Sequence, residues 1–269
     1  MYPIVGPQGF GLDWLEAFTV LARRGDEVFD FMAGRCEEQR RQLERALAPL
    51  AVTWLSLEHG AQVADIGDPL QAASPVADGA LVTVPGTAAA AAAAAAVAVP
   101  LSPVADGALV TVPGTAAAFT TADCLPVIVA SSTLKVAAAI HAGWRSLAGG
   151  IIEAAVARMQ AELGVNPREL KAWIGPAIAA ADYEVSSEVR TALLARPAIT
   201  QRFFKPTSAG HWLADLPAAA NAVLASLGVL PGNIERCPLC TFADPRLHSA
   251  RRDGPTSGRM ATIVGIRLQ

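Results

Sequence analysis

The chain has 269 residues, 52% hydrophobic and 17% charged, enough apolar material to bury a sizeable core and to argue against disorder over most of its length. A net charge of −3 supplies no general attraction for nucleic acid or an anionic membrane, so neither partner is expected. Four cysteines are too few for a disulfide scaffold, and no charged-then-apolar leader opens the sequence, so a reducing cytoplasm is the expected setting.

In chain order, residues 36–48 place Leu43 and Leu47 four apart among polar residues, which predicts an amphipathic helix. Val52–Leu57 reads as a strand delivering His59 and Gly60. The segment S-P-V-A-D-G-A-L-V-T-V-P-G-T-A-A-A then fills 74–90 and recurs without a mismatch at 102–118. Two identical copies do not make a solenoid, which needs at least three, and a tandem duplication or an artefact of sequence assembly explains them better. Only the second copy runs into the motif around Cys124, so 74–101 is expected to be a surface insertion. The uncharged stretch 79–105 is mostly Ala, too weakly hydrophobic for a membrane span.

Further along, Leu109–Val112 predicts a short strand before the Pro113-Gly114 turn. Leu125–Ala130 and Leu134–Ile140 read as neighbouring strands. Leu147, Ile151, Ile152, Ala155, Val156, Met159 and Leu163 form one stripe, which predicts a helix over Leu147–Leu163. Leu170–Ile174 predicts a strand ending at Gly175-Pro176. Ser186 or Ser187 suits the cap of a helix through Leu194, and Asp215 the cap of another through Leu227, stopped by Gly228. Met260–Leu268 reads as a closing strand. Strands and helices alternate without regular βαβ spacing, and no G-x-G-x-x-G follows a strand. The expected class is α+β (mixed α/β), a single domain of mixed sheets layered with helices rather than a Rossmann fold.

The chemistry concentrates in T-T-A-D-C-L-P-V at 120–127 and I-H-A-G-W-R-S at 140–146, which set Cys124 and His141 seventeen residues apart at the edges of apolar runs. With His59 they offer two imidazoles and a thiol, and catalytic zinc commonly takes three such ligands and keeps one position open. A lone Cys or His in an apolar run is more often a core residue, and a Cys–His pair also suits a thiol nucleophile with its base, so spacing alone leaves all three readings open. Cys237 and Cys240 form a C-x-x-C pair with no second pair, which favours a structural role. Arg251, Arg252 and Arg259, interspersed with Gly254, Thr256, Ser257 and Gly258, suit an anion-binding loop, and Arg145 is placed to share its pocket.

Five motifs, T-A-D-C-L-P, H-A-G-W-R, W-I-G-P-A-I, Y-E-V and S-A-R-R-D-G-x-T-x-G-R, occur here in this order. Together they resemble the YfiH-type laccase-domain family, once called multicopper polyphenol oxidoreductases and now described as zinc-containing purine nucleoside phosphorylases. The match covers 102–269 strongly and 49–66 weakly. Removing one 28-residue repeat unit shortens the His59-to-Cys124 spacing from 65 to 37 residues, close to that typical of the family.

The resemblance implies a YfiH-like fold akin to a cysteine hydrolase, and a zinc ion (copper the alternative) held by His59, Cys124 and His141. It implies phosphorolysis of adenosine, inosine, guanosine or methylthioadenosine, with adenosine deamination as a side activity. Cys124, His141, Arg145 and Asp123 are the expected catalytic residues. Arg145, Arg251 and Arg252 are the expected contacts to substrate and phosphate, and the protein is expected to be a monomer or a homodimer. Rival readings are a Cys–His thiol hydrolase or amidase, a copper-dependent polyphenol oxidase, and a non-catalytic binding module. The chain departs from the family's pattern at Leu57, Glu58 and Ala250, where a Gln, a small apolar residue and an aromatic are usual, and over Ala22–Gly25, where a T-T-R-x-G-G segment is usual.

Overall fold

The computed structural model describes residues 3–24, 27–32, 36–66 and 103–268. The expected insertion at 74–101 lies outside the described residues.

The described elements run β1 (Ile4–Val5), β2 (Leu15–Val20), β3 (Arg23–Arg24), β4 (Glu27–Val28), α1 (Glu37–Leu47), β5 (Ala51–Trp54), β6 (Val63–Ile66), β7 (Gly107–Val110), β8 (Thr115–Thr121), β9 (Leu125–Ser131) and β10 (Ala137–Ala142). There follow α2 (Trp144–Gly149), α3 (Ile151–Leu163), β11 (Leu170–Ile174), β12 (Glu184–Ser186), α4 (Ser187–Leu194), β13 (Phe204–Pro206), β14 (His211–Ala214), α5 (Leu216–Ser226), β15 (Ile234–Arg236), α6 (Ala250–Asp253) and β16 (Met260–Ile266).

Two mixed sheets dominate. One has the order β1-β2-β16-β8-β5 and the other β15-β11-β9-β10-β7-β6. The interior pairings are antiparallel, while β5 on β8, β6 on β7 and β15 on β11 are parallel. The period of two along each strand sends alternate residues to opposite faces. On β9 and β10, Ile128, Ala130, Ala137 and Ala139 meet Ala117 and Phe119 of β8 and Val264 and Ile266 of β16 between the two sheets. The other face of the same strands, Leu125, Val127, Val129, Ala138 and Ile140, packs under α3 and α5. The outer face of the five-stranded sheet packs on Leu43 of α1. Strands covered on both faces read as continuous apolar runs, which is why β9, β10 and β16 stand out in the sequence.

Several expected boundaries shift for local reasons. The β9–β10 connection runs farther than the Ser131–Thr133 gap, because Ser131 N donates to Val136 O and Ser131 Oγ accepts from the amides of Thr133 and Leu134. The next strand therefore begins at Ala137 rather than at Leu134. The helix expected over Leu147–Leu163 is two helices, α2 and α3, broken where Gly150 takes φ 86° and caps α2 with its N–H on Leu147 O and Ser146 O. At α5, Asp215 Oδ1 accepts from Ala218 N at 2.9 Å, as its capping position requires. The strand β8, T-A-A-A-F-T-T, was not expected, since Ala favours helix; pairing on both sides with β16 and β5 overrides that preference.

A Cβ at position 150 would meet the Arg196 guanidinium at 2.9 Å, in a left-handed backbone conformation that costs a side-chain-bearing residue about 1–2 kcal/mol. Gly150→Ala is therefore expected to lower the unfolding free energy by at least that amount, read from urea unfolding; an unchanged value would show that the α2–α3 break does not depend on glycine.

Candidate metal centre

β7, β8, β9 and β10 meet near Gly107, Thr121, Leu125 and Ala142, at one end of the two packed sheets. His141, the fifth residue of β10, shares its face with Ala137 and Ala139 and is 2% exposed, with the Phe119 ring 6.4 Å away edge-on. Cys124 lies in the turn between β8 and β9, directly after Asp123, whose φ is 85°. His59 sits in the loop after β5 with φ 61°, its ring centred 5.0 Å from that of His141. Non-glycine residues with positive φ are uncommon, so two beside one cluster mark a backbone held by its surroundings. The structure brings together the ring nitrogens of His59 and His141 and Sγ of Cys124, all within 4.8 Å of one another.

One buried carboxylate organises the cluster. Asp106 is fully buried; its Oδ1 accepts from His141 Nδ1 at 2.7 Å and its Oδ2 from Gly60 N at 2.6 Å. Ser146 Oγ donates to Oδ1 at 3.4 Å, and His141 N donates to the Asp106 carbonyl at 2.7 Å. Burial alone would raise the Asp106 pKa, but the bonds from His141 and from the Gly60 and His59 amides hold it below the usual carboxylate value. Burial alone would lower the His141 pKa, but the hydrogen bonds to Asp106 and Cys124 raise it above the ordinary imidazole value. The His59 pKa is lowered, first by burial and then by the His141 charge.

The residues fit a metal ion. Two imidazoles and a thiol are the donor types that zinc takes, and a carboxylate on the far ring nitrogen of a ligating His is the usual arrangement behind one. Gly143 leaves the approach open: a Cβ there would stand 3.0 Å from Cys124 Sγ and 3.4 Å from His59 Nδ1. Among the described residues this is the one group of three or more His, Cys, Asp or Glu so arranged.

The remaining expected site residues divide. Arg145 is exposed and stacks over the Trp144 ring at 4.3 Å. Arg251 lies over the Tyr183 ring at 5.0 Å, and its Nη1 donates to Glu184 O at 3.1 Å. The Tyr183 pKa is pushed up to about 12, chiefly by burial, then by charge at Cys124 and Asp123, while Arg251 and Arg145 oppose the rise. Tyr183 thus sits in the field of the thiol and of both arginines. Arg252 points elsewhere: Nη1 donates to the carbonyls of Thr241, Phe242 and Asp244, Nη2 to Leu247 O, and Asp253 pairs with it at 2.8 Å. Cys240 Sγ accepts from Ala179 N and donates to Asp182 Oδ2, each at 3.3 Å, and burial raises the Cys237 thiol; neither belongs to the cluster.

Asp106 and Tyr183 had no place among the expected site residues. The signal for Asp106 was a V-A-D-G before a short apolar run, present in both copies of the duplicated segment, and that for Tyr183 was its place in the Y-E-V motif.

The chain matches the family described as multi-copper polyphenol oxidoreductase laccase over residues 25–267. It is 36% identical over 232 residues to the purine nucleoside phosphorylase YfiH of Escherichia coli K12, covering 86% of this chain and 80% of that one. It is 38% identical over 146 residues to a purine nucleoside phosphorylase of Xylella fastidiosa Temecula1, spanning 54% of this chain and about half, 55%, of that relative's length. A crystal structure of a Neisseria meningitidis protein of the DUF152 family superposes with a TM-score of 0.77 at 27% identity, covering 98% of this chain and 99% of that one. No helix among the described residues is long and apolar enough to cross a membrane.

Asp106→Asn removes the charge behind His141 while keeping its shape, and is expected to weaken metal binding by roughly 10–100-fold, read by competition with a chelator. Affinity equal to wild type would show that Asp106 serves only the fold.

Proposed function

This chain belongs to the multi-copper polyphenol oxidoreductase laccase family, and from that premise we propose that it is a zinc-dependent purine nucleoside phosphorylase acting on adenosine, inosine, guanosine or methylthioadenosine with phosphate. One observation carries the reading: His59, Cys124 and His141 converge on one spot, and Arg251, exposed over the Tyr183 ring, is tied through its amide to Asp123 beside Cys124. The names of the bacterial relatives support the same substrate class.

His59, Cys124 and His141 would hold the ion. When bound, it supplies Lewis acidity to polarise an oxygen of the substrate or to acidify a water molecule, the second of which would serve a side reaction of adenosine deamination. Asp106 fixes the His141 ring so that Nδ1 is occupied and the other nitrogen faces the cluster. Arg145 and Arg251 offset the charge of phosphate; a guanidinium offers two parallel donors to its oxygens, and each of these is preorganised by stacking on an aromatic face. The Arg252 guanidinium, with four carbonyls and a carboxylate around it, holds the loop together instead. Asp123, beside Cys124, orients the thiol-bearing turn.

Zinc suits two imidazoles and a thiolate in a single cluster, whereas a multicopper oxidase needs several histidine-rich sites. A second reading has one specific observation in its favour. Cys124, His141 and Asp106 are ordered as nucleophile, base and orienting carboxylate, the arrangement of a thiol hydrolase. Metal content separates the two, since a thiolate bound to stoichiometric zinc is no free nucleophile.

Inosine with inorganic phosphate is expected to yield hypoxanthine and ribose 1-phosphate, measured by coupled assay or chromatography, with one zinc per chain. Cys124→Ala is expected to lose both metal and product. Absence of product from all four nucleosides with metal present would sink the phosphorylase, and activity in a metal-free preparation would sink the zinc. Arg145→Ala is expected to raise KM for phosphate by about tenfold, about 1.4 kcal/mol of lost binding, while Arg252→Ala lowers thermal stability instead.

A further inference from the structure

Thr241 lies beyond the C-P-L-C segment, fully buried, and belongs to none of the motifs that mark the site. Its hydroxyl donates to Asp123 Oδ1 at 2.6 Å. The other carboxylate oxygen, Oδ2, accepts the backbone N–H of Arg251, also at 2.6 Å. Asp123 is 8% exposed and its own carbonyl accepts from Ile178 N at 3.1 Å, so the residue is held at backbone and side chain alike. Thr241 is anchored in turn: its N–H donates to Ala177 O at 3.0 Å, beside the bridge that pairs Ala177 with Cys240.

The connection has a direction. Asp123 is the residue before Cys124, so its carboxylate ties the turn that carries the thiol to the segment that carries Arg251. Beyond that tie, the Arg251 side chain is steadied at Glu184 O and over the Tyr183 ring. With both oxygens engaged, the carboxylate has one orientation. Without the Thr241 hydroxyl, Oδ1 is left buried and unpaired, a costly state that the side chain relieves by turning, which draws Oδ2 off the Arg251 amide.

We propose that Thr241 is a positioning residue: through Asp123 it sets the placement of Arg251 relative to Cys124, and so the binding of the anionic co-substrate. The identity of that anion as phosphate rests on the phosphorylase reading; the tie itself does not.

The test compares the full-length, zinc-loaded wild type with Thr241→Val, which keeps shape and loses the hydroxyl, and Thr241→Ser, which restores it. For Thr241→Val, KM for inorganic phosphate is expected to rise about tenfold, in keeping with the sensitivity of such sites to misplacement by about 1 Å. KM for nucleoside and zinc per chain stay at wild-type values, Thr241→Ser recovers the phosphate KM, and the Arg251 amide exchanges its hydrogen faster in the valine variant. An unchanged phosphate KM, loss of zinc, or failure of serine to rescue would each overturn the proposal. Should the wild type split no nucleoside, the phosphorylase reading falls by itself. Exchange at the Arg251 amide then judges the tie: faster exchange in Thr241→Val upholds it, and an unchanged rate overturns it.

Discussion

The buried carboxylate of Asp106 is the constraint from which the centre follows. A charged group removed from water is tolerable only when its lone pairs are filled, and here an imidazole, a hydroxyl and backbone amides fill them. Each partner belongs to a different part of the chain. Gly60 and His59 come from the loop after β5, His141 from β10 and Ser146 from α2. Satisfying one carboxylate therefore brings His59 next to His141 and orients the ring that completes the cluster.

The packed sheets explain why this happens where it does. Between them the packed side chains are Ala, Val, Leu, Ile, Phe and Trp. The interface turns polar only at its end, where Asp106 precedes β7, Cys124 precedes β9 and His141 sits one residue before the close of β10. A site at the rim of this largely apolar layer draws on several parts of the chain. His141 is held by β10, and Cys124 and His59 by the turn and the loop at the strand ends, while Arg145 stands on α2, Tyr183 just before β12 and Arg251 on α6.

The turn before β9 carries a second carboxylate with a comparable role. Asp123, in a backbone conformation rare outside glycine, links the thiol turn to the C-terminal arginine segment as Asp106 links the two imidazoles. The proposed chemistry thus divides between two acidic residues that need not touch substrate: one builds the ion's site, the other relates it to the anion's.

Much of this was legible in the residues themselves. Apolar runs located β9, β11 and β16, a stripe located α3, Asp215 marked the start of α5, and ordered motifs around Cys124 and His141 pointed to the family and to the residues that cluster. Period and composition are local properties, and a strand buried on both faces writes them plainly. What stayed hidden depended on partners distant in the chain. The alanines of β8 are strand only because β5 and β16 flank them, and the break at Gly150 matters because Arg196 lies against it. Arg251 and Arg252 are neighbours of one type, yet one lies over an aromatic ring and the other is enclosed by carbonyls. Asp106 and Thr241 are ordinary residues until folding buries them. The sequence by itself determined which elements form and which side chains hold reactive atoms. Only the tertiary structure decided which of them meet, because burial of an ionised or polar group must be answered by partners that no local pattern specifies.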